Sequence, residues 1–189
     1  MSRSLTEEDF AFAAAALGCE AAAVKAVCEV EAPRGGFNPD GTPVTLFEGH
    51  KFHKATGGRF DESHPDLSYS SWTRQFYGKT WQQEKDRLSR AAELDRAAAL
   101  ESASWGRFQI MGYHWKALGY LSVQDFVNQM YRSEGAQLLA FVKFVQVNGL
   151  ARHLRARNWA AFALAYNGAG YAQNKYDTKM AAAYTRFSR

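Results

Sequence analysis

An apolar helical run that stops abruptly is the feature that most restricts how this chain can fold. From Glu20 to Val30, the residues Ala21, Val24, Val27 and Cys28 recur at three- and four-residue spacing and define one stripe for burial. Pro33 and the pair Gly35-Gly36 end the helix just beyond it. The character then changes: Phe37 to Gly78 holds every other proline, several glycines and scattered aromatics, with little helical periodicity. From Thr80 the helical pattern returns and mostly persists. The expected class is therefore mainly α (α+β), with a small irregular or β lobe at about 37–78 inserted between helices.

Glu31, at the end of that run, is the first residue the pattern singles out for chemistry. A carboxylate at a helix C-terminus sits at the negative end of the macrodipole, and Val30 and Phe37 would strip water from it. Both effects disfavour ionisation, and a raised pKa suits a general acid near neutral pH. The plain alternative is a solvated glutamate on a helix end, and one residue alone does not choose between them.

The 189 residues, 47% apolar and 22% charged, suffice for a single domain over 1–189 with its own core. A formal charge of +4 points to an anionic partner without naming it. Cys19 and Cys28, on opposite faces of a continuous helix, are expected as free thiols, as in a reducing cytoplasm. No stretch is apolar and long enough to span a membrane. Met1 to Asp9 lacks the apolar core of a secretory signal, so a target beyond the cytoplasm would need another delivery route. His50, His53 and His64 lie near Asp61 and Asp66 without metal-ligand spacing, and neither a metal nor a cofactor is expected.

Local signals place the remaining elements. Ser4 with Glu7 reads as a capping box for a helix through Phe10, Phe12 and Leu17 that Gly18 ends. Val44 to Phe52 reads as a strand or hairpin, in which Glu48 and His50 share one face. Trp81 to Leu100 reads as one amphipathic helix with a wet outer face. Ser122 with Asp125 caps a helix bearing Val123, Phe126, Val127 and Met130; Gln137 to Val147 is a core helix ended by Asn148-Gly149. Arg152 to Arg157 reads as a solvated basic helix face, with attraction to an anionic cell envelope as the functional alternative; Asn158 caps Trp159 to Ala165, and a last helix covers about 174–187.

Three islands recur in order: Glu31 with Gly36-Phe37-Asn38-Pro39, Ser104 with Gly106-Phe108-Gln109-Ile110-Met111, and Ala165-Tyr166-Asn167-Gly168. They resemble the lysozyme-like superfamily of peptidoglycan-cleaving enzymes, notably soluble lytic transglycosylases and goose-type lysozymes. Those enzymes carry a Glu-Ser-Gly-Phe type motif ending a helix, a Gly-Leu-Met-Gln type motif and an Ala-Tyr-Asn motif. From about Val24 to the C-terminus the chain is more similar to the N-acetylmuramidase domain of phage endolysins, through the runs Leu46 to His50 and Ala99 to Gly106. The resemblance implies a lysozyme-like fold in which a helical lobe and a small irregular/β lobe flank a cleft. It implies hydrolysis of the β-1,4 bond between MurNAc and GlcNAc of bacterial peptidoglycan by general acid catalysis. The alternatives are a lytic transglycosylase forming 1,6-anhydro-MurNAc ends and a non-catalytic glycan-binding module. It further implies a monomer without nucleic-acid or integral-membrane partners, made in the host cytoplasm and acting in the periplasm or cell wall after export or holin-type release. A basic helical nucleic-acid binder, drawn from charge alone, lacks a recognition motif.

Carried over residue by residue, Glu31 matches the acid, while Gln109, Tyr166 and Asn167 match positions lining the saccharide groove, with Ser104 beside them. Two features depart from the pattern. Ala32-Pro33-Arg34 is inserted before Gly35-Gly36-Phe37, and some seventy residues downstream Glu101-Ser102 imitates the acid motif, so Glu101 rivals Glu31. Glu48 is the first choice for a second carboxylate, ahead of Asp61, Asp66 and Glu101. Trp72, Tyr69, Trp105, Tyr113 and Tyr166 are candidate sugar-stacking faces.

Overall fold

The computed structural model describes residues 4–31, 33 and 35–189. Ala32 and Arg34 of the insertion after Glu31 lie outside the described residues. In chain order the elements are α1 (Glu7–Leu17), α2 (Ala21–Glu31), β1 (Thr45–Phe47), α3 (Gly49–Thr56), α4 (Trp81–Leu94), α5 (Arg96–Glu101), β2 (Ala103–Trp105) and β3 (Ile110–Met111). They continue with α6 (Val123–Arg132), α7 (Glu134–Val147), α8 (Ala151–Arg155), α9 (Trp159–Asn167) and α10 (Tyr176–Phe187). They group into two compact units, one of residues 1–35 and 133–189, the other of Gly36–Arg132. The segment 37–78 belongs to the second unit together with α4, α5, α6 and all three strands.

The first unit is helical. Val24, Val27 and Cys28 of the expected stripe are buried, and α2 packs along α10, with α1 resting on α2 and α7. Phe141, Val145, Leu154, Phe162 and Met180 fill its interior. The cap of α1 is Thr6 with Asp9 rather than Ser4 with Glu7. The Thr6 hydroxyl accepts from the Asp9 N–H at 3.2 Å, and Asp9 accepts from the Thr6 N–H at 2.9 Å. Gly18, at φ 65°, closes α1 as expected. Cys19 therefore lies in the turn before α2 rather than on a continuous helix, and neither cysteine is in a disulfide. Asn158 caps α9 through the Ala161 N–H at 3.1 Å, and the helix runs past Ala165 so that Tyr166 and Asn167 form its last turn.

The second unit is built on a three-stranded antiparallel sheet in the order β1-β2-β3, pairing Leu46 with Ser104 and Ser104 with Met111. The strand expected over Val44 to Phe52 ends at Phe47, and His50 is helical. Its backbone edge is closed by a buried ion pair of α4. Glu84 Oε2 accepts from the Phe47 N–H at 3.3 Å, and Arg87, 3.0 Å from Glu84, donates to the Phe47 carbonyl at 3.3 Å. The Gly78 N–H also donates to Glu84. The expected helix from Trp81 to Leu100 is split at Asp95, whose extended backbone lets its carboxylate cap α5 through the Ala98 N–H at 3.1 Å. Ser122 and Asp125 cap α6 as expected: Ser122 Oγ accepts from the Asp125 N–H at 3.0 Å, and Asp125 from the Leu121 N–H at 3.1 Å.

Among the described residues no single helix is long and apolar enough to cross a membrane. Gly112, after β3, is wedged against the end of α5: a Cβ there would lie 2.0 Å from the Leu100 carbonyl oxygen and 2.9 Å from Glu101 Cα. Gly112→Ala is expected to destabilise the protein by about 1–3 kcal/mol through overpacking, seen as a lower urea midpoint at unchanged m-value.

Candidate active site

Glu31 closes α2 half-buried, and its Oε1 accepts a hydrogen bond from Asn167 Nδ2 at 2.9 Å. Two helix ends, 136 positions apart in sequence, thus meet through one side-chain bond. Burial pushes the Glu31 carboxyl above its ordinary pKa, and the Asn167 bond offsets part of that rise. Tyr166 stacks on Phe162 at 5.6 Å and meets Phe141 and Phe144 edge-on at 5.7 and 5.8 Å. Its phenol is raised well above the usual value by burial, and further by the charges of Glu31 and Cys28. Tyr176, at the start of α10, is raised by burial and by Glu31 as well. The sequence reading passed over Tyr176, which carries no motif; an aromatic at a helix start was its only signal.

The second unit holds the remaining expected residues. Glu48 follows β1; its N–H donates to the Ser102 carbonyl at 3.0 Å, and its Oε2 accepts from the Tyr77 hydroxyl at 2.7 Å. His50 Nδ1 lies 3.3 Å from the same oxygen without hydrogen-bond alignment. The two are therefore neighbours, but across a helix start and not on one strand face. Burial lowers the His50 pKa against the pull of Glu48, which keeps the imidazole neutral at pH 7. Burial and Glu48 together raise Tyr77, so the phenol stays a donor.

Glu101 ends α5 with its Oε1 accepting from the Trp115 indole N–H at 2.7 Å, a partner the sequence reading did not anticipate. Ser104 is buried and donates to Gln109 Oε1 at 2.8 Å. Gln109 Nε2 donates to the carbonyls of Gly106 at 2.9 Å and Val44 at 3.3 Å. That amide holds the β2–β3 turn, where Gln109 itself takes a left-handed φ of 49°. Asp61 accepts from Ser68 and lies 2.7 Å from His53 Nδ1, while Asp66 pairs with Arg90 at 2.8 Å, so both carboxylates serve local ties. Trp105, expected as a sugar-stacking face, is core, its indole N–H donating to the Leu100 carbonyl at 3.0 Å; Trp72 and Tyr113 are exposed. Among the described residues no group of three metal-ligating side chains comes together.

A helical unit that ends two helices on a desolvated carboxyl and an amide, in one chain with a small carboxylate-bearing sheet unit, has the parts of a glycan-cleaving enzyme. The N-acetylmuramidase family model matches residues 20–188, and the chain belongs to that family. The crystal structure of the Burkholderia AP3 phage endolysin superposes with a TM-score of 0.94 at 44% identity, covering 100% of this chain and 73% of that one. No curated protein matches the chain.

The geometry sets the sign of a stability effect. With the folded pKa of Glu31 above its unfolded value, the native state binds more protons between the two, and stability falls as pH rises through that window. Glu31→Gln keeps an acceptor for Asn167 and removes the charge. It is expected to stabilise the fold at pH 7 by up to about 1 kcal/mol, a gain that disappears below the ordinary carboxylate range, as read by urea unfolding at both pH values.

Proposed function

We propose that the chain degrades peptidoglycan as an endolysin does, hydrolysing the β-1,4 bond between MurNAc and GlcNAc with Glu31 as general acid. Residues 1–189 act in this reading as one catalytic domain, in keeping with a family match that runs across both units. The observation that carries it is the Glu31 carboxyl: desolvated, raised in pKa and oriented by a single amide. Glu31 gives its proton to the leaving GlcNAc oxygen as the MurNAc C1–O bond breaks through an oxocarbenium-like state. Water supplies the hydroxyl that ends on C1 and the proton that restores the acid.

Glu48 is the second carboxylate of this proposal. Tyr77 fixes one of its oxygens, and Oε1 has no partner among the described residues. Asn167 and Tyr166 contact the saccharide, whereas Ser104 and Gln109 act on it through the turn they hold. The enzyme works as a monomer in the cell wall, after export or release from the cytoplasm in which it is made.

The test is turbidity clearance of outer-membrane-stripped Gram-negative cells, followed by mass spectrometry of the products. Wild type is expected to clear them and leave reducing MurNAc ends; 1,6-anhydro ends would replace hydrolysis by transglycosylation. Glu31→Gln should lower the rate by about 10²–10⁴-fold, the contribution typical of a positioned acid. The assignment fails if Glu101→Gln loses activity and Glu31→Gln keeps it. Because the acid must be protonated, the alkaline limb of the rate profile should lie above the ordinary carboxylate range and move further up in Asn167→Ala, which loses the bond that lowers the Glu31 pKa.

A further inference from the structure

A cavity of about 430 Å³, wholly within the second unit, is walled by Lys51, Lys54 and Ala55 of α3, Glu101 and Ser102 at the end of α5, and Tyr113. Its volume is that of a small-ligand site. Lys51 and Lys54 stand three residues apart on α3 and so share a face. Neither has a carboxylate within ion-pair distance among the described residues, whereas Lys25 and Lys85 pair with Glu7 and Asp40. Lys51 Nζ lies 5.8 Å over the ring of Tyr113, itself 45% exposed, so the cavity offers an ammonium beside an open aromatic face. Opposite in sign stands Glu101, whose Oε1 is held by Trp115 and whose Oε2 has no partner among the described residues.

Two cations, one anion and an aromatic face match a zwitterionic ligand better than a neutral sugar. In intact peptidoglycan the lactyl carboxyl of MurNAc is taken up in the amide to the peptide, so the sugars carry no charge; the charges sit on the peptide arms, as carboxylates and the free amine of a diamino acid, and a stripped glycan keeps only the lactyl carboxylate with no amine. We infer that this cavity binds the peptide arm of the glycan, its carboxylates on Lys51 and Lys54 and its amine on Glu101. The inference rests on the muramidase reading and adds to it that the enzyme prefers peptide-bearing chains to stripped ones.

A soluble stem tetrapeptide containing diaminopimelate, titrated into the full chain and followed by ¹⁵N NMR, is expected to shift Lys51, Tyr113 and the Trp115 indole. Lys51→Glu/Lys54→Glu should abolish the shifts, and Lys51→Arg/Lys54→Arg should keep them. In kinetics, wild type is expected to show a KM about fivefold to tenfold lower on intact than on amidase-stripped glycan, a ratio that falls toward one in Lys51→Ala/Lys54→Ala. Absence of shifts at millimolar peptide, or shifts that survive Lys51→Glu/Lys54→Glu, overturn the inference, as does a wild-type KM ratio of one. Should wild type cleave neither glycan, the muramidase reading falls, and the titration still decides what the cavity binds.

Discussion

The second unit depends on a buried ion pair that does the work of a strand. β1 is three residues long, and at its end the Phe47 N–H and carbonyl face α4 instead of another strand. Glu84 accepts from one and Arg87 donates to the other, so an edge that would otherwise leave buried polar groups unpaired is satisfied. Taking two charges out of water is expensive, and such pairs persist only where further hydrogen bonds complete them. Here the Phe47 and Gly78 N–H groups, the Phe47 carbonyl and the Asp66 carbonyl supply such bonds, and Arg87 Nε is the one buried atom of the pair that they leave out. The pair pins the loop before α4 to the strand, and the next residue after Phe47 is Glu48. Its position, and through its N–H that of Ser102 beside Glu101, follows from that anchor.

The first unit solves the opposite problem with apolar packing. Helices α2 and α9 each end on a polar residue, and burial of Phe141, Phe162 and Val27 beneath those ends fixes where Glu31 and Asn167 point. The same burial that orders the carboxyl removes its water, so the group suited to proton donation is one whose ionisation opposes folding. Tyr166 belongs to this arrangement as the aromatic layer over which the last turn of α9 closes.

What the sequence made legible follows from what local chemistry decides. The end of α1 at Gly18, the caps at Ser122 and Asn158 and the stripe of α2 depend on neighbours within four residues, and they stand as expected. The order of the three islands also anticipated that Asn167 would belong with Glu31, although no periodicity could reveal that bond. Two differences are local, the α1 cap at Thr6 instead of Ser4 and the break at Asp95; the others are non-local. Glu84 and Arg87 read as part of a wet helix face because nothing nearby in sequence announces the strand edge they meet. Ala103 to Trp105 was read as a motif and not as a strand: three residues are too short for alternation to register, and their burial on both faces comes from partners 58 positions upstream and a few downstream. Glu48 and His50 were paired by strand parity, and they do meet, but because a helix begins between them.

The rivalry between Glu31 and Glu101 turns on what each carboxylate is bonded to. Glu31 has one amide donor and a surrounding that withholds water, which together leave its pKa above the ordinary carboxylate range. Glu101 is held instead by the Trp115 indole N–H. Glu101 also stands in the wall of the cavity that Lys51 and Lys54 line. In both places a helix ends on a glutamate, and the two differ in the partner that tertiary structure delivers, Asn167 for one and Trp115 for the other.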